Sequence, residues 1–274
     1  MIIADYHVHS NFSGDSQAPM EQMIERAIQL GLKKLCFTDH MDYDYPHKGG
    51  ISFEFDPEVY VEKLQQLKER YSEQIEILTG IEFGLQPLPQ VLDYYQYLTK
   101  KYCFDFAIGS THVLDYVDPY FPVFWEHRTK EEGVRAYFQS IIDNCKLFHP
   151  YFNSYGHLDY IIRYVPTADG TKADYSYHDY ADLLDEALKT IIHYGKGIEV
   201  NTAGYKYGLG YAHPKVEVLK RYRELGGELL TIGSDAHKPE HLCYDFNLVP
   251  ELLKGLGYTY YATFVNGKPI FEKL

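Results

Sequence analysis

Short runs rich in β-branched and aromatic residues alternate along the chain with longer segments whose apolar positions recur every three to four residues. That alternation predicts strand–helix units around a parallel sheet. The first strand is expected at Ile2–Tyr6. In Pro19–Leu30, Met20, Met23, Ile24, Ala27 and Ile28 recur at helical spacing, and Gly31 follows as a breaker. Lys34–Thr38 reads as the second strand, Pro57–Ser72 as a helix opened by proline, and Gln74–Ile81 as the third strand. A helix over Pro89–Lys101 leads to the fourth strand, Phe104–Ser110, and one over Lys130–Phe148 leads to the fifth, Phe152–Gly156. Then come a helix over Tyr177–His193, the sixth strand Gly197–Asn201, a helix over His213–Leu225 and the seventh strand Glu228–Ser234. The tail has hairpin chemistry, with Tyr258–Val265 and Pro269–Phe271 flanking Asn266-Gly267, and Pro269 restricts the second arm to an edge.

No repeat, low-complexity segment or linker divides the 274 residues, so residues 1–274 are expected to form one α/β barrel domain. No window approaches the roughly 18 uninterrupted apolar residues of a membrane span, and the N-terminal residues lack the basic start and apolar core of a signal peptide. A cytoplasmic protein without membrane partners is expected. Cys36, Cys103, Cys145 and Cys243 stand singly, which argues against a zinc ribbon and a disulfide framework. The net charge of −13, from 39 acidic against 26 basic residues, disfavours a nucleic-acid polymer as partner. It also leaves carboxylates available to gather around divalent cations.

The candidate chemistry lies at the strand ends. The first strand runs into His7-Val8-His9, and on extended chain residues i and i+2 project the same way. The second ends Thr38-Asp39-His40, the third runs into Glu82, the fourth ends Ser110-Thr111-His112, the fifth Gly156-His157, and the seventh Ser234-Asp235-Ala236-His237. In an α/β barrel all these carboxyl ends share one rim. With Asp15 from the first loop, the set is His7, His9, Asp15, His40, Glu82, His112, His157, Asp235 and His237. Nine donors exceed the needs of one ion, so two or three divalent metals are implied. Imidazole and carboxylate without thiolate suit Zn²⁺, Mn²⁺ or Fe²⁺, and Glu82 can bridge two ions.

These motifs, His7-Val8-His9-Ser10, Thr38-Asp39-His40, Gly80-Ile81-Glu82, Gly109-Ser110-Thr111-His112 and Ser234-Asp235-Ala236-His237, resemble in order and spacing those of the PHP phosphoesterases. The length, the Gly-x-Glu after the third strand and the segment Gly156–Arg163 are similar to the histidinol-phosphate phosphatases of that superfamily. The resemblance implies a distorted (β/α)7 barrel, here with the C-terminal β-hairpin, and hydrolysis of L-histidinol phosphate to L-histidinol and phosphate in histidine biosynthesis. It implies a trinuclear site: His7, His9, Glu82 and Asp235 on the first metal, Glu82, His112 and His157 on the second, and Asp15, His40 and His237 on the third. Some relatives have His where this chain has Asp15. The expected nucleophile is a metal-bound hydroxide held by Glu82, Asp235 and His237, attacking phosphorus in line. No residue is assigned as the leaving-group acid.

Arg163, six residues beyond His157, has a planar fork suited to phosphate, and Asn201 and Lys206 are further candidate substrate contacts. The loop carrying Tyr205, Lys206 and Tyr207 reads either as a cover for the pocket or as a packed surface loop. His47, His127, His178 and His213 fall off the strand ends and read as surface or loop residues. The aromatic stretch around Trp125 reads as a hydrophobic lid or an oligomer contact. Three alternatives remain open: a PHP phosphoesterase for another small phosphomonoester or nucleotide, an amidohydrolase-type barrel, and a non-catalytic metal-binding module. Against the second, no strand end offers the bridging Lys usual in that class. The oligomeric state is left open.

Overall fold

A computed structural model describes residues 2–46, 50–168 and 170–274; His47 lies outside the described residues. Eight parallel strands surround one axis: β1 (Ala4–Val8), β2 (Lys34–Phe37), β3 (His40–Met41), β4 (Glu76–Gly84), β5 (Phe106–Ser110), β6 (Ser154–Tyr155), β7 (Gly197–Asn201) and β8 (Leu230–Gly233). Their order is β1-β2-β4-β5-β6-β7-β8, and β3 continues the line of β2 against the upper half of β4. A parallel bridge from Val8 to Ala236 brings the last strand back to the first. The result is the nearly closed seven-position barrel expected from the sequence. Among the described residues, no helix is long and apolar enough to cross a membrane.

Local chemistry explains most element boundaries. Asp56 accepts the amides of Glu58 and Val59 ahead of Pro57, and Thr129 with Glu132 forms a reciprocal capping box, so the helices at Pro57–Tyr71 and Lys130–Phe148 start where the sequence marks them. The predicted second strand instead breaks at Thr38-Asp39. There Thr38 Oγ1 accepts the Val8 amide, while the Asp39 carboxylate takes the amides of Ser10 and Ser13. Those hydrogen bonds compete with the sheet ladder and turn the chain before β3 resumes it.

The other differences are of the same local kind. The third predicted strand runs on to Gly84, and the fifth shrinks to Ser154–Tyr155. Residues 177–180 form a 3₁₀ turn ahead of the helix Ala181–His193. The helix expected from His213 begins only at Val216, because His213 exchanges backbone hydrogen bonds with Asn201.

The core divides into three apolar clusters. Two join strand side chains to the surrounding helices. In the third, Ala4, Tyr6, Cys36, Leu78, Phe106 and Ile108 meet one another and Ala262 and Phe264. Ala262 and Phe264 belong to the C-terminal hairpin, β9 (Tyr260–Val265) with β10 (Lys268–Lys273), whose turn is Asn266-Gly267 as predicted. Tyr6 donates its hydroxyl to the Phe264 carbonyl at 2.8 Å, so the hairpin plugs the barrel interior at the end remote from the histidines. Filling that end leaves the carboxyl rim as the accessible mouth.

Candidate metal centre and substrate pocket

Glu82 occupies the middle of the carboxyl rim because β4 outruns its neighbours, pairing with His40 of β3 on one side and Ile108 of β5 on the other. Its side chain is fully buried, and its two oxygens face different histidines. Oε2 lies 3.1 Å from His7 Nε2, 3.0 Å from His40 Nδ1 and 3.6 Å from His9 Nε2. Oε1 lies 3.0 Å from His157 Nε2 and 3.4 Å from His112 Nε2, and it accepts the Ser110 hydroxyl at 2.6 Å. Around the rim, Asp235 Oδ1 is 3.5 Å from His9 Nε2 and 3.4 Å from His237 Nδ1. Asp15 reaches His237 Nε2 at 3.1 Å and His40 Nε2 at 3.9 Å. All nine sequence-nominated donors therefore come together.

Several of these buried atoms have no hydrogen-bond partner among the described residues: His7 Nε2, His9 Nε2, His40 Nδ1, His237 Nε2 and Glu82 Oε2. Leaving so many polar atoms unsatisfied in one place is costly unless a ligand completes them. Three sets of donors each have their ligand atoms within 4.8 Å of one another: His7, His9 and Glu82; His40, Glu82 and His112; and His9, His40 and His237. This mixed nitrogen and oxygen set fits a divalent metal centre. The grouping differs from the one implied by resemblance: His40 faces Glu82 as well as Asp15, and His9 groups with His40 and His237 as well as with His7 and Glu82.

The opposite ring nitrogens explain how the imidazoles are aimed. His7 Nδ1 is 2.7 Å from Glu199 Oε1, His112 Nδ1 is 2.8 Å from Asp42 Oδ2, and His9 Nδ1 is 3.0 Å from Ser13 Oγ. A proton held on Nδ1 by such a partner leaves the Nε2 lone pair free for a cation. Burial resists ionisation of Glu82 and Asp235, but the surrounding histidines outweigh it and hold both carboxyls well below their usual range. Burial, with His237 and His40 beside it, pushes the His9 imidazole well below its ordinary value, so it presents a neutral ring.

Comparison with known proteins agrees with this geometry. The PHP domain family model matches residues 5–203, more than half of the chain. The chain belongs to the PHP domain family. Across 266 residues this PHP protein is 30% identical to the histidinol-phosphatase of Lactococcus lactis, covering 95% of this chain and 93% of that one. A protein of Clostridium acetobutylicum named a probable histidinol-phosphatase is 33% identical over 248 residues, covering 89% and 90% of the two chains. The crystal structure of the L. lactis histidinol phosphate phosphatase, complexed with zinc, L-histidinol and phosphate, superposes with a TM-score of 0.87 at 29% identity, over 97% of this chain and 98% of that one.

In front of the PHP rim lies a cavity of about 310 Å³, lined on the donor side by Asp15, His40, His112, His157, Asp235 and His237. Arg163 projects into it from a 3₁₀ turn, Tyr160–Arg163. Its guanidinium lies 3.6 Å from the Tyr207 ring centroid and 4.0 Å from Asp235 Oδ2. The loop after β7 thus contributes Tyr207 as a wall of the pocket.

Two nominated contacts do not face the cavity. Asn201 is fully buried; its amide nitrogen donates to Glu199 and its oxygen accepts the Ala203 amide, so the side chain is spent on the strand end. Lys206 reaches the Asp235 carbonyl at 2.9 Å and braces the backbone from behind. His213 is also corrected. Far from lying on the surface, it is fully buried against Asp159, whose carboxylate also takes the Tyr175 hydroxyl and the Lys215 amide. His127 and His178 are exposed, as expected. Around Trp125, the loop divides: Tyr120 and Phe121 line the cavity, whereas Phe124 joins the core and Trp125 donates its indole N–H to the Pro119 carbonyl.

Glu199, Asp42 and Ser13 are the functional positions that strand-end reasoning missed. Glu199 stands two residues before the end of β7, on the face that alternation assigns to the barrel interior, where a buried acid inside an apolar strand (Gly-Ile-Glu-Val-Asn) is the available signal. Asp42 and Ser13 sit in loops, and nothing in their spacing marks them.

Proposed function

We propose that this protein is a metal-dependent phosphomonoesterase that hydrolyses L-histidinol phosphate to L-histidinol and phosphate. The observation that carries the reading is Glu82: a buried carboxylate presents one oxygen to His7, His9 and His40 and the other to His112 and His157, beside the cavity that Arg163 lines. Family membership and the L. lactis enzyme, similar along nearly the whole chain, support the same substrate. Residues 1–274 act as one barrel unit in this reading, with the hairpin as its floor. A cytoplasmic location goes with it, since charged phosphate esters of biosynthesis do not cross membranes freely.

His7, His9, Glu82 and Asp235 would hold a first cation, Glu82, His112 and His157 a second, and Asp15, His40 and His237 a third, with zinc as the leading candidate and manganese or iron as the others. Bound there, the cations supply a water of lowered pKa and positive charge against the phosphoryl oxygens. The chain's own groups do the rest. Arg163, held over the Tyr207 ring, offers paired N–H donors to a phosphate. Glu199 and Asp42 keep the His7 and His112 rings oriented. Tyr160, Tyr164 and Tyr207 wall the cavity and limit the water that reaches it.

The test is a steady-state panel of L-histidinol phosphate, nucleoside monophosphates and an aryl phosphate, each with Zn²⁺, Mn²⁺ or Fe²⁺. The reading expects L-histidinol phosphate to have the highest kcat/KM with at least one metal. An efficiency no better than that of the aryl ester would remove the specific substrate and leave a general PHP phosphatase.

A further inference from the structure

The cavity is also lined by an acid that the metal centre does not use. Asp118 is 8% exposed and lines the cavity. Its Oδ2 accepts the Tyr45 hydroxyl and its Oδ1 the Tyr120 amide, both at 2.7 Å. Two aromatic walls connect it to the donors. On one side the Tyr45 ring lies 4.9 Å from Phe53, which lies 5.3 Å from His40. On the other, Tyr120 lies 5.7 Å from Tyr164, Tyr164 5.0 Å from Tyr160, and Tyr160 5.6 Å from His112. Asp118 therefore stands on an aromatic stretch of the same cavity wall, joined to His40 and His112 through those rings.

The local turn does not account for its charge. Asp118-Pro119-Tyr120-Phe121 is a β-turn closed by the Phe121 amide on the Asp118 carbonyl, and Asn or Ser at its first position would cap it as well. A carboxylate costs more to bury than either. Among the described residues no Lys or Arg pairs with it, and Arg163, the basic residue lining the same cavity, reaches toward Asp235 instead. Among the described residues each Asp118 oxygen accepts one hydrogen bond, which leaves it a lone pair for another donor. Burial pushes the carboxyl up, against the hydrogen bonds from Tyr120 and Tyr45, so a cation arriving from the cavity relieves a penalty already present.

We infer that Asp118 is the specificity-determining contact for the alcohol half of the substrate, accepting a hydrogen bond from a protonated nitrogen while the phosphate lies among the histidines and Arg163. The preferred substrate class is a phosphomonoester whose alcohol carries an N–H cation, flanked by the aromatic walls that such cations favour. Esters of neutral alcohols leave the buried carboxylate unpaired. The inference rests on the phosphomonoesterase reading above and narrows it.

The experiment compares wild type and Asp118→Asn with L-histidinol phosphate and with p-nitrophenyl phosphate, and measures inhibition by L-histidinol, which carries the cation without the ester. Loss of one charged hydrogen bond should shrink the kcat/KM ratio of the first substrate to the second by roughly 10- to 100-fold, mainly through KM, and should raise the L-histidinol inhibition constant by a similar factor. If Asp118→Asn fails to fold, Asp118→Ser keeps an oxygen for the Tyr120 amide and gives the same comparison. A ratio that stays constant, whether both activities fall together or neither changes, overturns the inference and leaves the phosphatase reading intact. A wild-type enzyme that does not prefer L-histidinol phosphate overturns the inference together with the L-histidinol phosphate assignment, leaves a general PHP phosphatase, and is distinguished by that single measurement.

Discussion

His7 and Glu199 form a sealed pair: Nδ1 lies 2.7 Å from Oε1, and both side chains are shut off from solvent. Glu199 is a hub, because its other oxygen accepts the His157 amide at 2.9 Å and the Asn201 amide nitrogen at 3.1 Å. One carboxylate thus holds the His7 imidazole and the His157 main chain, two of the residues that face Glu82.

Replacing Glu199 by Gln should loosen the metal centre without unfolding the barrel. Three donors converge on the carboxylate, and a Gln turns an N–H₂ group against at least one of them. Metal affinity, read by competition with a chromogenic chelator, is expected to fall roughly 10- to 100-fold, with activity largely recovered at saturating metal. Unchanged chelator competition would show that His7 needs no such partner.

Arg163→Ala and Arg163→Lys separate charge from shape. The guanidinium lies over the Tyr207 ring, 3.6 Å from its centroid, and a lysine ammonium lacks the planar fork that it presents there. Both variants are expected to raise KM for a phosphomonoester, and the inhibition constant of inorganic phosphate, by about tenfold or more, with Lys recovering only part of the loss. Wild-type values in Arg163→Ala would place the phosphate elsewhere.

Gly233 faces the His7–Glu199 pair so closely that a Cβ there would collide with His7 Cβ and Glu199 Oε1. Gly233→Ala should therefore cost about 1–3 kcal/mol, visible as a thermal midpoint lowered by several degrees, and it should weaken metal binding alongside. A variant that melts like wild type and keeps its metal would mean that β8 can shift outward at little cost.

Acid sensitivity should reside partly in a bond between helices. Arg221 grips Asp185 twice, Nε to Oδ1 at 2.8 Å and Nη2 to Oδ2 at 2.7 Å, and that hydrogen bonding holds the carboxyl down at about 2. Because the folded value lies below the unfolded one of about 3.9, the contribution is complete above pH ~5 and is lost as pH falls from there toward 2. Urea denaturation of Asp185→Asn should show a deficit of about 1 kcal/mol or less at pH 7, modest because the pair is partly exposed. The gap to wild type is expected to narrow between pH 5 and pH 3. A constant gap would mean that the Asn variant loses packing rather than charge.

Eight of the nine candidate donors were legible in the sequence because each stands at or just past a strand's carboxyl end, and a barrel sends those ends to one rim; Asp15 lies in the loop after the first strand. Strand period and turn residues therefore sufficed for His7, His9, Glu82, His112, His157, Asp235 and His237. Asn201 was nominated by the same rule, and the rule failed there because it fixes which rim a residue reaches, not whether its amide is already occupied by Glu199 and Ala203. His213 was misread for a related reason: its burial depends on Asp159, 54 residues earlier in the chain, and the helix pattern that follows it carries no trace of that contact.

By itself, then, the sequence determined the alternation of elements, the hairpin at Asn266-Gly267 and which candidate donors stand at the strand ends, since those depend on local backbone preference and periodicity. Tertiary structure alone decided which imidazole nitrogen is free, which oxygen of Glu82 faces which histidine, and that Asp118 lines the same cavity. Those relations join atoms from loops and strands dozens of residues apart, and they exist only once barrel closure fixes the loops that carry them within hydrogen-bonding distance.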